Sequence, residues 1–163
     1  MTKLKRLFTI ILRLLALGAT TSAIIIMVTS HDSTEVLNLK FTVKYSNSPT
    51  FKYFVIVEAI ASGYTLMVLF ISPKSVFSPL VVVLDIVTTL LLTSGISAAL
   101  AIAEVGKKGN SHAGWFPICD QVPKFCDRVS VSLILGFAAP IVYFVLNLYS
   151  LHPVFNPLFA VKP

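Results

Sequence analysis

Only a few of the 163 residues have types and spacing suited to chemistry. Cys119 and Cys126 are the only cysteines, and His112 and Asp120 stand near them. Thiolates, imidazole and carboxylate are the ligands that zinc takes. The same cysteine spacing suits a local disulfide, which persists only in an oxidising compartment. The pair is read as a disulfide, and no metal site is assigned. The other histidines, His31 and His152, lie far apart in the chain. No nucleotide-binding loop, HExxH, GxSxG or CxxC pair occurs, and Asn47-Ser48-Pro49 is no glycosylation sequon, since proline stands where Ser or Thr is required. Nothing here supports an enzyme, and no cofactor is implied.

Three charges inside apolar runs are more informative. Arg13 lies about six residues into the first run and Asp85 about six residues into the third, and helices there would run in the same direction. A lone charge at the centre of a membrane helix costs roughly 2.5–3.5 kcal/mol even on a lenient scale. Opposite charges at matched depth remove that cost by pairing, and arginine forks two hydrogen bonds onto one carboxylate. Such a pair can belong to a proton or ion pathway. The favoured reading is a bridge that locks two helices, since one satisfied pair provides no relay. Glu58, in the second run, has no cation at matching depth. Three readings stay open for it: a protonated carboxyl, a reach to Lys52 one and a half turns outward, or a water-filled gap, for which it is the best single hint.

The elements that must position these groups are four apolar runs, at about 7–29, 51–71, 79–104 and 129–150. Each approaches or exceeds the roughly 20 residues that a helix needs to cross about 30 Å of hydrocarbon. Hydrophobic residues make up 56% of the chain and charged ones 12%, with a mean hydropathy of +0.87. These values place it in the membrane class and leave no room for a soluble catalytic domain. The expected fold is all-α, one tetraspan bundle over residues 1–163. The net charge of +6 sits in tails and loops between the runs, where Lys and Arg face lipid headgroups rather than nucleic acid. Met1 to Arg6 resembles the basic start of a signal peptide. The apolar stretch behind it is longer than a signal's, and no A-x-A site follows Val28, so the first helix is expected to be retained.

Two signals set the orientation, and they conflict. Lys3, Lys5 and Arg6 before the first helix favour a cytoplasmic N-terminus. Counting all loops favours the reverse, because Lys40, Lys44, Lys52, Lys107, Lys108, Lys124 and Arg128 stand on the opposite side from Lys74 and Lys162. The cysteine pair breaks the tie. Its loop, 105–128, belongs outside, with loop 30–50; the short connection 72–78 and both termini are then cytoplasmic.

Gly95, Ala99 and Ala103 repeat every four residues in the third run. Small residues let helices approach closely in lipid, where no hydrophobic drive exists. This stripe serves packing within one bundle or between copies. In loop 105–128, Trp115 and Phe116 sit among glycines and prolines. They form either an interfacial anchor or a presented recognition loop.

The order of Arg13, Ser62-Gly63-Tyr64, Asp85, Gly109-Asn110, Trp115, Ile118-Cys119 and Phe125-Cys126 resembles the plant Casparian strip membrane domain-like (CASP-like) proteins, a tetraspan family related to MARVEL proteins. The resemblance covers about residues 5–150 and carries the family's Arg, Asp, Trp and cysteines onto Arg13, Asp85, Trp115, Cys119 and Cys126. It implies a plasma-membrane location, cytoplasmic termini, and homo- and heteromers with related CASP-like proteins. Apart from the resemblance, the juxtamembrane Lys and Arg make membrane lipids expected partners, and the outer loops point to cell-wall or extracellular proteins. The first outer loop, from His31 to Val36 onward, lacks the Phe-rich motif of the Casparian strip proteins proper, so the likeness is to the broader family. The expected function is a non-enzymatic scaffold. A small channel with a polar path past Glu58, Thr88, Thr89 and Thr93, or an accessory subunit of a larger complex, are the alternatives.

Overall fold

The computed structural model describes residues 3–36, 39–70 and 78–159. Four helices dominate: α1 (Lys3–Thr29), α2 (Pro49–Phe70), α3 (Ser78–Lys108) and α4 (Pro123–Phe159). All four are long and apolar enough to cross a membrane, over Arg6–Thr29, Pro49–Phe70, Pro79–Lys108 and Pro123–Leu151. Pro49, Pro79 and Pro123 stand in the first turns of α2, α3 and α4, where the missing N–H has no intrahelical partner to lose. The outward faces are what lipid requires. Leu14, Ile60, Leu90 and Ile134 are 53%, 53%, 65% and 71% exposed, a distribution that water would not tolerate.

Helix ends differ from the expected ones for a local reason. α4 opens at Pro123 rather than near 129, so Cys126, Asp127 and Arg128 lie on a helix, not in a loop. α3 runs to Lys108 rather than 104 and ends at Gly109, whose φ of 70° and N–H bond to the Val105 carbonyl (2.8 Å) form a left-handed cap. The loop between them is correspondingly shorter. The loop after α1 holds an antiparallel hairpin, β1 (His31–Val36) with β2 (Leu39–Lys44), paired from His31↔Lys44 to Val36↔Leu39. Expected as plain loop, it is built from Thr34, Val36, Thr42 and Val43, β-branched residues that favour strands. A lone hairpin is marginal in water, and this one leans on the bundle through Val43, with Tyr45 of the turn that follows β2 packed beside it. The connection expected to be cytoplasmic (72–78), with Lys74, and the C-terminal Lys162 fall outside the described residues, apart from Ser78, which opens α3.

Each helix packs on its sequence neighbours, and α1 closes the ring against α4. Two buried clusters fill the centre. Met27, Phe51, Phe54, Ile96, Phe125 and Leu133 occupy the loop end, and Ala16, Val57, Leu92, Tyr143 and Leu146 the end near the termini. In this ring α1 faces α3, and α2 faces α4, across the diagonals.

Candidate functional site

Both diagonals are bridged by side chains that sequence reasoning had singled out. On one, Arg13 of α1 donates from Nη1 to Asp85 Oδ1 (3.1 Å) and from Nη2 to Asp85 Oδ2 (2.7 Å) of α3. The two residues are 5% and 1% exposed, so the fork is sealed from lipid. Tyr64 of α2 adds a third contact, its hydroxyl lying 2.8 Å from Asp85 Oδ1 and 3.0 Å from the Val81 carbonyl. Three helices thus meet on one carboxylate. Charge-assisted hydrogen bonds are about twice as strong as neutral ones, so the donors from α1 and α2 tie both helices firmly to α3.

The polar cluster continues into α4. The Tyr64 and Tyr143 rings stack with centroids 6.4 Å apart. The Tyr143 and Thr65 hydroxyls hydrogen-bond each other, and Thr65 Oγ1 donates to the Ala61 carbonyl (2.6 Å). Asn147 Nδ2 donates to Thr89 Oγ1 (2.8 Å), which in turn donates to the Asp85 carbonyl (2.7 Å). The parts played by Thr65, Tyr143 and Asn147 escaped sequence reasoning. Their one signal was Tyr143 and Asn147 standing four apart, on one face of an otherwise apolar helix.

The second diagonal brings Glu58 of α2 against Gly136 of α4. Glu58 is 1% exposed, and its Oε2 has no hydrogen-bond partner. A Cβ on Gly136 would lie 2.6 Å from Phe54 Cζ and 2.9 Å from Glu58 Oε1, so only glycine lets the diagonal close. Glu58 is therefore wedged in packed side chains. Two cavities of about 520 and 740 Å³ open at the loop end, and neither is lined by Glu58, Thr88, Thr89 or Thr93.

The small-residue stripe of α3 faces inward. Ala99 is fully buried, Ala103 packs on the core, and a Cβ on Gly95 would lie 3.4 Å from Val57 of α2. The stripe packs within the bundle at Gly95 and Ala99, while Ala103 is half-buried and lines the larger of these two cavities.

The loop after α3 is ordered by its own bonds. Asn110 and Trp115 exchange backbone hydrogen bonds of 2.8 and 2.9 Å, and the Asn110 side chain accepts from the N–H groups of His112 and Ala113. Ile118 N–H reaches the Gly106 carbonyl (2.9 Å). Cys119 is disulfide-bonded to Cys126 on α4, with Cα atoms 5.6 Å apart. With both sulfurs in that bond, the set with His112 and Asp120 has no thiolate to offer zinc. Among the described residues no three His, Cys, Asp or Glu side chains gather as a metal site. Trp115 and Phe116 project from this loop, 58% and 85% exposed.

An Arg–Asp pair between the first and third of four spans, followed by a cystine loop, invites comparison with known families. The model for the Casparian strip membrane protein domain matches residues 2–142. The chain belongs to that family. CASP-like protein 1C3 of Populus trichocarpa is 65% identical over 163 residues, all of both chains. CASP-like protein 1C2 of Ricinus communis is 63% identical over 161 residues, 99% of this chain and 98% of its own. CASP-like protein 1C1 of Arabidopsis thaliana is 51% identical over 158 residues, 97% and 96% of the two chains. No solved structure matches. Membership makes this a multi-pass membrane protein of a family with many plant members, and it spans 96–100% of the length of these CASP-like relatives.

Proposed function

We propose that this CASP-like protein is a non-enzymatic scaffold of the plasma membrane, self-associating into homo- or hetero-oligomers and organising a membrane domain at the cell wall. The observation that carries the reading is the contrast between a locked interior and a displayed loop. Buried polar groups from all four helices close on one another around Asp85, while Trp115 and Phe116 stand exposed on a disulfide-bonded platform. Such a molecule is built to hold a shape and present a surface. The cystine supports an oxidising, extracellular side for the loops, and hence cytoplasmic termini. Self-association would use lipid-facing surface, since Gly95 and Ala99 are buried within the bundle.

Mass photometry of the purified protein in lipid nanodiscs tests this directly. Defined oligomers support it. A strict monomer sinks the self-associating scaffold and leaves the accessory subunit. The unpartnered Oε2 of Glu58 favours one second reading, a small channel whose path opens in another conformation. Liposome flux abolished by Glu58→Ala would establish that reading in place of the scaffold.

A further inference from the structure

The larger cavity at the loop end, about 740 Å³, is a groove between α3 and α4 with a mixed lining. Its lower wall on α4 is hydrocarbon-like, formed by Leu133, Ile134 and Phe137, with Ile134 71% and Phe137 50% exposed. Its rim is charged and drawn from three elements: Lys44 at the end of β2, Glu104 and Lys107 near the end of α3, and Asp127 near the start of α4. Glu104 is taken by Lys108 at 2.5 Å. Lys44, Lys107 and Asp127 have no ion-pair partner among the described residues.

The dimensions match one leaflet. From Asp127 to Phe137 the helix descends about 15 Å, at about 1.5 Å per residue. That is half of the roughly 30 Å hydrocarbon core. The volume is within the range of about 300–1,000 Å³ typical of small-ligand sites. A rim with two unpaired cations and one unpaired anion asks for a head carrying both signs.

We propose that this groove binds one zwitterionic phospholipid, with an acyl chain against Leu133, Ile134 and Phe137. Its phosphate lies between Lys44 and Lys107, and its ammonium group at Asp127. The lipid fills the notch in the bundle wall and fixes the hairpin and the cystine loop relative to the membrane surface. The site does not depend on the scaffold reading and holds for a monomer as well as an oligomer.

The test uses full-length protein extracted from nanodiscs of phosphatidylcholine, phosphatidylglycerol and sterol, with retained lipid counted by native mass spectrometry. One phosphatidylcholine per chain is expected, favoured over phosphatidylglycerol by about tenfold, the weight of one or two charge contacts. Ile134→Trp, at an exposed position, fills the groove and abolishes retention while the elution profile stays that of the folded protein. Lys44→Glu with Lys107→Glu weakens phosphatidylcholine retention by about tenfold, and Asp127→Lys shifts preference to phosphatidylglycerol. No retained lipid, equal retention by Ile134→Trp, a preference for sterol or phosphatidylglycerol in the wild type, or a second copy seated in the groove would each overturn the proposal.

Discussion

Arg13 and Asp85, 72 residues apart in the chain, meet through two hydrogen bonds across a diagonal of the bundle. Helices on a diagonal do not touch through short side chains, so the bridge needs a long, forked one. Lysine would supply the charge but not the two parallel donors. The pair fixes the relative height of α1 and α3, and Tyr64 ties α2 to the same carboxylate.

Asp85→Ala should therefore strip Arg13 of its partner and destabilise the bundle by about 3–5 kcal/mol, as broken buried pairs do. Thermal unfolding in detergent measures the loss, and retention inside the cell should accompany it. A normally trafficked, fully stable Asp85→Ala protein would contradict the structural role of the pair. Arg13→Met with Asp85→Leu should recover much of the loss, because neither charge is then left buried alone.

Tyr64→Phe removes one hydrogen bond to a charged acceptor and leaves the fork in place. The expected loss is about 1.5–3 kcal/mol. A double-mutant cycle with Asp85→Asn should give a coupling energy of similar size; additive losses would assign Tyr64 to Val81 instead.

Gly136→Ala should destabilise by about 1–3 kcal/mol, as overpacking does. The new methyl meets Phe54 at 2.6 Å and Glu58 at 2.9 Å. Gly18→Ala and Gly63→Ala are the controls, because nothing lies within 4 Å of either added Cβ. Phe54→Leu should partly rescue Gly136→Ala, and equal melting temperatures for all three glycine variants would refute the diagonal contact.

Glu58→Met keeps length and flexibility while removing an unpartnered buried carboxyl oxygen. Stability should rise by about 1–3 kcal/mol. A fall of that size would mean that Glu58 holds a partner in the membrane that makes it structural.

Reduction, or Cys119→Ser, opens a short loop and should release about 2–3 kcal/mol of local stabilisation. Hydrogen exchange should speed up at the N–H groups of Asn110, Trp115 and Ile118, which close the loop. The spans should keep their protection, since their own polar locks lie elsewhere.

Much of this architecture was legible in the residues themselves. A run of about 20 apolar residues has one stable form in hydrocarbon, because every backbone N–H must be satisfied within the segment, so the four helices followed from composition alone. Charges in such runs are so unfavourable that depth matching sufficed to join Arg13 to Asp85, and cysteine spacing sufficed for Cys119–Cys126. The hairpin at His31–Lys44 and the early start of α4 were not legible, since short polar strands and helix ends outside the hydrocarbon carry weak signals. Tertiary structure alone decided which face each helix turns inward. In lipid both faces of a helix are apolar, and periodicity no longer separates core from surface. That is why Gly95 and Ala99 proved internal, why Glu58 proved packed rather than exposed to a cavity, and why Tyr143 and Asn147 joined the polar cluster without having announced themselves.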